Sequence, residues 1–357
     1  MELKTHGFEP ETMLDFGCGA GSGLWVANDL WKDTLRMYDG VDRSFEMCRT
    51  ANYVVTGGDE DCMTDGIRFR RRFPEGTSYS REQYNIVLAA NILGDQRGRR
   101  DRNLLIDKLW GKVHAQGGVL VLIEYGNLAG HELIQESRAH LVDNHSSAYV
   151  VAPCGHNSRC GLFRPRTAAK PTDPEEVKEW QWRPVCKYPV NYEIPPWGYH
   201  NRKSSSSHDR IIESGEFTYC VIGKNVTQLP EPLRFPRVIG SMTNRTGQNS
   251  CVICVNGKPC ALTSKAGRDD LETNLSIRRA RVGDTLPLVE REEWTPSEED
   301  FIYRERANHK KWLKRQQRKA GKQMQDGLNL NNLDSPFIDE KFTGYESIFL
   351  ERDESAE

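Results

Sequence analysis

The sequence lacks several features that mark broad classes of protein. No stretch approaches the roughly 18 to 20 consecutive apolar residues of a membrane-spanning helix, so the sequence predicts a protein that does not cross a membrane. Neither an apolar secretory signal nor an Arg-rich transit peptide opens the chain. Ten cysteines in 357 residues are too few for a disulfide scaffold, and an oxidising compartment is therefore not expected.

Charge is nearly balanced over the whole chain but uneven along it. The formal net charge is -2, whereas residues 304–322 hold nine Lys or Arg and one acid, and residues 323–357 hold nine acids and two basic residues. The first segment predicts a basic helix. The second also carries many large apolar residues, which a purely solvating tail does not need, so it predicts an extended tail that docks on a protein neighbour.

Short apolar runs alternate with helix-length amphipathic segments over the first 150 residues, which is typical of a parallel α/β sheet. Later β-like pieces separated by turns predict a small antiparallel barrel or sheet. Strands are predicted at 12–16, 37–41, 86–90, 119–124, 149–152, 217–222, 237–240, 251–255, 261–263 and 275–277, with helices at 23–35, 101–113 and 128–143. The predicted divisions are an α/β domain (1–152 and 217–232), a cysteine-bearing insertion (153–216), a small β domain (233–290), a basic helix (291–322) and a tail (323–357).

A glycine-rich turn follows the first predicted strand, where the backbone must turn tightly or a ligand must approach it closely. The dinucleotide fingerprint GxGxxG does not fit, because Ser22 stands at its sixth position. The pattern D-x-G-x-G-x-G instead resembles the cofactor loop of class I S-adenosylmethionine methyltransferases, which have a Rossmann-like α/β fold. An acid after the second strand is suited to bind the ribose hydroxyls. The candidate cofactor-binding residues are Asp15, Gly17, Gly19, Gly21, Asp42 and Asn91.

The methyl-acceptor side carries no familiar motif. Amino-methylating enzymes usually have Asn/Asp-Pro-Pro-aromatic after the strand predicted at 86–90, whereas this chain has Ala-Asn-Ile-Leu-Gly over residues 90–94. No Pro-Cys pair stands there to attack a pyrimidine ring. Asn91 is a candidate to line the acceptor side, and the sequence leaves methyl transfer open.

Seven of the ten cysteines fall in one stretch of about 110 residues. Cys154 and Cys160 stand in one loop with Pro and Gly, so both can face one ion or cluster, and Cys186 and Cys254 are able to complete four thiolates. Zinc and a [4Fe–4S] cluster both accept four cysteines, and the spacing does not choose between them. Buried free thiols are the structural alternative. His156 is interpreted as a loop hydrogen-bonder rather than a ligand.

Arginine and lysine cluster in three places, at residues 68–73, 97–102 and 304–322. Guanidinium groups suit phosphate. A solvated surface would account for one such cluster, but three favour binding to the backbone of RNA. The candidate RNA-binding residues are Arg70, Arg71, Arg72, Arg99, Arg100, Lys310, Lys311, Lys314, Arg315 and Arg318.

The order of these motifs resembles one family. LDFGCGAGSGLW, then GVDRS, APCGHNSRC, a single Cys and GEFTYCVIGK are similar to the methyltransferase-like assembly factors of the mitochondrial small ribosomal subunit and their bacterial relatives. The likeness runs from about residue 14 to residue 283. It implies S-adenosylmethionine and [4Fe–4S] binding, small-subunit rRNA and ribosomal proteins or other assembly factors as partners, and the mitochondrial matrix as location. The ligands that it implies are Cys154, Cys160, Cys186 and Cys254, the last favoured over Cys251 because it directly precedes the turn at 255–257.

The chain departs from the family pattern at three points. Gly155 replaces the usual proline, the gap from Cys160 to Cys186 is much longer than the family's spacer, and the family's N-terminal helical region has no counterpart in this sequence, which leaves open whether a separate chain supplies it. The first two departures affect the third ligand most. The sequence therefore predicts an rRNA-binding assembly factor, with a catalytically active rRNA methyltransferase as the alternative.

Overall fold

The computed structural model describes residues 2–59, 64–73, 83–163, 185–194, 212–226, 230–245, 248–265 and 271–286. All of these belong to one compact unit, Met1–Arg304. The basic helix and the tail predicted from residue 291 onward lie outside the described residues.

Five parallel strands form most of the main sheet. They are β1 (Thr12–Phe16), β2 (Met37–Val41), β3 (Ile67–Arg70), β4 (Ile86–Ala90) and β5 (Val119–Tyr125).

One long antiparallel strand completes the sheet. This is β8 (Ile212–Lys224), which pairs with β5, with β6 (Ala148–Ala152) and with β7 (Tyr188–Glu193). The strand order is β3-β2-β1-β4-β5-β8-β6, with β7 beside β8. This mixed α/β sheet confirms the predicted class I methyltransferase fold.

Seven helices occur among the described residues: α1 (Glu2–Thr5), α2 (Ser22–Trp31), α3 (Phe45–Val55), α4 (Arg99–Lys112), α5 (Leu128–Asn144), α6 (Glu231–Arg234) and α7 (Leu271–Arg279). Side-chain caps begin two of them, since Ser44 accepts from the amide of Met47 and Asn127 accepts from that of Gly130. None of these helices is long and apolar enough to cross a membrane.

The core has two parts because successive residues of a strand face opposite sides of the sheet. Leu14 and Leu120 belong to one cluster, which includes residues of α4 and α5. Met13 and Val119 belong to the other, which includes residues of α2. The central strands are thus covered on both faces, as the apolar run at 119–124 predicts.

A second, three-stranded antiparallel sheet contains β9 (Arg237–Arg245), β10 (Gln248–Val255) and β11 (Lys258–Lys265). Asn256 and Gly257 make the turn between β10 and β11, with φ angles of 47° and 84°, which Asn-Gly favours. The strand predicted at 275–277 is wrong, because these residues lie in α7. The two fully or nearly buried residues there, Asn274 and Ile277, are three apart, which is helical spacing.

The predicted insertion contributes to the main sheet. β8 begins at Ile212, five residues before the predicted start, because its first half pairs with β7 from within the insertion. This pairing holds the residues just after Cys186 on the sheet, which bears directly on the placement of the cysteines.

Candidate functional site

The glycine loop between β1 and α2 leaves one side open to a ligand. Gly17, Gly19 and Gly21 all have positive φ, at 81°, 53° and 85°, a region that side chains disfavour. A Cβ at Gly17 would lie 2.3 Å from Cγ2 of Ile92, whereas a Cβ at Gly19 would meet nothing within 4 Å. Gly19 therefore faces open space at the carboxyl end of the parallel strands, where ligands of open α/β sheets bind.

Asp42 lies beside this open space at the end of β2. Its Oδ2 accepts a hydrogen bond from the amide of Gly19 at 3.0 Å, and its Oδ1 accepts one from the amide of Ser44 at 2.8 Å. A carboxylate oxygen can accept more than one hydrogen bond. Asp42 thus holds the loop and can still receive hydroxyl donors from a ribose.

Asp15 is placed differently from Asp42. It is buried, and its Oδ2 accepts a hydrogen bond from the Tyr38 hydroxyl at 2.6 Å. A Cβ at Gly23 would lie 2.2 Å from the same oxygen. Burial raises the pKa of Asp15 to about 6, with the Tyr38 hydrogen bond acting in the opposite direction. Asp15 therefore supports the loop and the first turn of α2 from within the core.

Asn91 follows β4 at the same sheet edge. It has a φ of 55° and is exposed, and its amide donates to the Ile123 carbonyl at 2.8 Å. Nearby, the amide of Leu93 donates to Oε1 of Glu124 at 2.9 Å. Glu124 is buried, and burial raises its pKa to about 7. The sequence analysis did not single out Glu124 as a site residue, although it is the one acid in the strand β5.

The four predicted cysteine ligands line one small cavity. Cys154 and Cys160 come from the loop after β6, Cys186 lies two residues before the start of β7, and Cys254 lies near the end of β10. Cys220 of β8 lines the same cavity and was not predicted. Four chain segments distant in sequence therefore contribute cysteines to this one cavity.

The alternation of β10 separates Cys254 from Cys251. Cys251 is fully buried in an apolar cluster with Ile253 and Ile277. Cys254 instead packs against the cluster that contains Cys186. Because the two cysteines are three residues apart on one strand, they face opposite sides of the sheet, and only Cys254 faces the cavity.

Two glycines bring the cysteine loop against the β10–β11 turn. The amide of Gly161 donates to the carbonyl of Gly257 at 2.6 Å. A Cβ at Gly161 would lie 2.5 Å from that carbonyl oxygen, and a Cβ at Gly257 would lie 2.2 Å from the carbonyl oxygen of Arg159. This backbone-to-backbone contact has no room for side chains.

Gly155 occupies a similarly tight place, where the family pattern has proline. A Cβ there would lie 2.2 Å from the carbonyl oxygen of Leu233. The loop approaches the segment before β9 more closely than a residue with a side chain would allow, which accounts for glycine at this position.

Two buried arginines fix the loop. Arg138 of α5 donates to the carbonyl of His156 at 2.9 Å and to that of Ser158 at 2.6 Å. Arg237, at the start of β9, donates to the carbonyl of Pro153 at 2.8 Å and forms an ion pair with Glu2. Neither role was predictable from sequence, because each joins residues that only the fold brings together.

The sulfur atoms interact even as free thiols. The Cys254 thiol donates a hydrogen bond to the sulfur of Cys154, which lowers the pKa of Cys154, and nearby His156 and Arg138 act in the same direction. Burial raises the pKa of Cys160 to about 11 and also raises that of Cys186. Cys154 is thus easier to ionise than Cys160 and Cys186.

The ring of His156 lies beside the sulfur of Cys154 in the same loop. Neither of its ring nitrogens, both buried, has a nitrogen or oxygen partner among the described residues. One ring nitrogen and the sulfur atoms of Cys154 and Cys254 all lie within 4.8 Å of one another, which is a spacing that a metal ion can occupy.

The described arginine clusters lie at the same sheet edge as the glycine loop. Arg71 and Arg72 follow the carboxyl end of β3, and Arg99 and Arg100 open α4, which follows β4. All four are exposed, whereas Arg70 is half-buried and lies 3.6 Å from Oδ1 of Asp39. The remaining candidates lie outside the described residues: Lys310, Lys311, Lys314, Arg315 and Arg318.

Several known proteins are similar in sequence to this chain. The human ribosome assembly protein METTL17, mitochondrial, is 26% identical over 312 residues, which is 83% of this chain and 60% of that protein. The Rsm22-cox11 tandem protein 2, mitochondrial, of Schizosaccharomyces pombe is 27% identical over 164 residues, covering 44% of this chain and 19% of that one. The chain therefore spans less than two thirds of either relative.

Similar solved structures include the N-methyltransferase NodS from Bradyrhizobium japonicum WM9 in complex with S-adenosyl-L-homocysteine, at 13% identity and a TM-score of 0.32 over 62% of this chain and 82% of that one. A family model also matches most of the chain. Residues 2–287 match the family described as mitochondrial small ribosomal subunit Rsm22. The chain belongs to the Rsm22 family.

Proposed function

We propose that this protein is an assembly factor of the mitochondrial small ribosomal subunit that binds rRNA, holds S-adenosylmethionine in the glycine-loop pocket and carries a [4Fe–4S] cluster on its cysteines. Family membership and the name of the human relative support the assembly role and the mitochondrial matrix. The observation that carries the cluster is the convergence of Cys154, Cys160, Cys186 and Cys254 on one cavity.

The donor set fits an iron–sulfur cluster. The four predicted ligands and Cys220 line a cavity whose other walls are largely apolar, and burial of that kind excludes water from a cluster. Bound there, a cluster would join the main sheet to the small sheet and could exchange one electron. Zinc is the alternative occupant of the same four sulfurs.

The S-adenosylmethionine pocket rests on the open side of the glycine loop. Gly19 leaves room for the ligand, and Asp42 offers two carboxylate oxygens beside it. Gly17, Gly21 and Asp15 hold the loop in this shape, and Asn91 borders the acceptor side. The pocket thus supports binding more directly than it supports methyl transfer.

The alternative, a working rRNA methyltransferase, has one observation in its favour. Glu124 is a buried carboxyl at the carboxyl edge of the sheet whose pKa is raised to about 7, which suits a general base near neutral pH. The carboxyl group of Glu124 also accepts a hydrogen bond from the amide of Leu93, which is a structural role that does not depend on catalysis.

Gly19→Asp tests the pocket. The new carboxylate would occupy the space of the ligand and would repel the carboxylate of Asp42. The affinity for S-adenosylmethionine is therefore expected to fall by at least about 100-fold, or roughly 2.7 kcal/mol. Calorimetric titration of the purified variant measures this. The matched control is Gly57→Asp, since Gly57 also has positive φ and open space but follows the far end of α3.

The same variant in cells separates the two functions. Loss of one small-subunit methyl mark with normal assembly would identify an enzyme. Normal assembly with every mark intact would identify a scaffold that does not need the ligand. Wild-type affinity of Gly19→Asp for the ligand would contradict the pocket itself.

RNA binding is proposed for the arginines at the sheet edge. Arg99 and Arg100 stand in the first turn of α4, where the helix dipole disfavours cations, so their presence indicates a use other than helix stability. The rim formed by Arg71, Arg72, Arg99 and Arg100 places positive charge around the nucleoside pocket, as an RNA substrate or scaffold requires.

Replacing both Arg99 and Arg100 by alanine is expected to weaken RNA binding across sequences and to reduce the slope of log affinity against log salt by about 2, roughly one per phosphate contact. Filter binding to small-subunit rRNA fragments over a salt series measures the slope. The Arg278→Ala/Arg279→Ala double variant of α7, which also removes two adjacent exposed arginines, should leave it unchanged. If the two double variants gave equal slopes of log affinity against log salt, an RNA-binding site at this sheet edge would be contradicted.

A further inference from the structure

The structure describes the chain that follows Cys186, whereas only residue 185 is described immediately before it. The chain before it, 164–184, lies outside the described residues, and the long spacer there is the main departure from the family pattern. The chain after Cys186 is well defined, because Tyr188 opens β7 and pairs with Phe217 of β8. Among the described residues, those that follow Cys186 therefore help to set the position of the third sulfur.

The side chain of Tyr188 contacts the sulfur of Cys186 directly. Its hydroxyl oxygen lies 3.0 Å from Sγ of Cys186, and the side chain is only 4% exposed. Its ring packs against Tyr219 with centroids 5.1 Å apart and against Phe217 at 6.0 Å. A Cβ at Gly283 would lie 3.2 Å from Cδ1 of Tyr188, so the ring is confined from that side as well.

The direction of the hydrogen bond follows from the chemistry of a ligand. In the free thiol either atom can donate. A cysteine that binds iron has lost its proton, so its sulfur can only accept, and the Tyr188 hydroxyl must be the donor. Hydrogen bonds to ligand sulfurs withdraw electron density and are one of the means by which a protein sets the potential of a cluster.

We propose that Tyr188 is a positioning residue of the iron–sulfur site, whose ring anchors Cys186 to β8 and whose hydroxyl donates to the ligating sulfur and raises the reduction potential of the cluster. This inference rests on the proposed cluster. It assigns to Tyr188 the work that a short spacer between the second and third cysteines does in the family pattern.

The test uses Tyr188→Phe, which removes the hydroxyl and keeps the ring. We expect the variant to retain the wild-type iron content and unfolding temperature, to show a more negative midpoint potential in an EPR-monitored redox titration, and to lose iron to a chelator about tenfold faster. The control is Tyr219→Phe. Tyr219 lines the same cavity, but its hydroxyl donates to Glu2 at 2.8 Å, so its removal should not move the potential.

The outcomes distinguish this inference from the function on which it rests. Iron-loaded wild-type protein with the same potential in Tyr188→Phe would overturn the role of Tyr188 and leave the cluster standing. An equal shift in Tyr188→Phe and Tyr219→Phe would also overturn it, because the effect would then come from any hydroxyl near the cavity. Colourless wild-type protein with one zinc per chain would overturn both.

Discussion

Cys254→Ala is expected to abolish the cluster, whereas Cys251→Ala is expected to keep it. The wild-type protein, purified without oxygen, should be brown and contain about four iron and four sulfide per chain. Cys254 lines the cavity with Cys154, Cys160 and Cys186, so its loss removes one of four ligands. Iron and sulfide analysis with the visible spectrum measures the difference.

Stability should follow the cluster in this pair of variants. A ligand that binds only the folded state stabilises it, by about 2.7 kcal/mol at one hundred times its dissociation constant, so Cys254→Ala should lower the unfolding free energy by about 3 kcal/mol. Cys251 is fully buried, and its replacement costs only the small cavity that is left, about 1 kcal/mol. If Cys251→Ala lost the iron and Cys254→Ala kept it, the ligand assignment would be reversed.

Gly257→Ala is expected to destabilise the protein strongly, although it adds only one methyl group. The new Cβ would lie 2.2 Å from the carbonyl oxygen of Arg159, and backbone on both sides cannot yield without breaking the contact between the cysteine loop and the β10–β11 turn. Together with the positive φ, we expect a loss of roughly 3 to 5 kcal/mol in the unfolding free energy. Chemical denaturation of the wild-type protein and of each variant, fitted in the same way, measures this loss in unfolding free energy.

The control for Gly257→Ala is Gly117→Ala. Gly117 has a similar φ of 77° but nothing within 4 Å of its Cβ position. The loss in unfolding free energy of Gly117→Ala therefore measures the cost of a side chain at positive φ alone, about 1 kcal/mol. A Gly257→Ala variant no less stable than Gly117→Ala would show that the loop and the turn are not in close contact.

The parts of the fold predicted from the sequence are those encoded locally. The glycine loop, the Asn256–Gly257 turn and the apolar strand at 119–124 each have their signal within a few residues. The helix α7 was missed because a short apolar stretch such as 275–277 fits either period. Its buried residues, three apart, show their period only once a core exists to bury them.

The site was harder to predict because it is assembled from distant segments. The sequence could show that Cys251 and Cys254 face opposite sides of a strand, but not which side meets the cysteine loop. The anchoring of that loop by Arg138 and Arg237 depends on a helix and a strand that approach it in space only. Tyr188 is two residues from Cys186, yet its importance comes from its pairing with β8.

The spread of the cysteines along the chain has a consequence for the unfolded protein. Cys154 and Cys254 enclose about 100 residues of chain. A cluster that binds both acts as a cross-link, and the chain-entropy model gives about 4.7 kcal/mol for closing a loop of 100 residues. Iron supply would thus act on this protein as the closing of a disulfide acts on a secreted one.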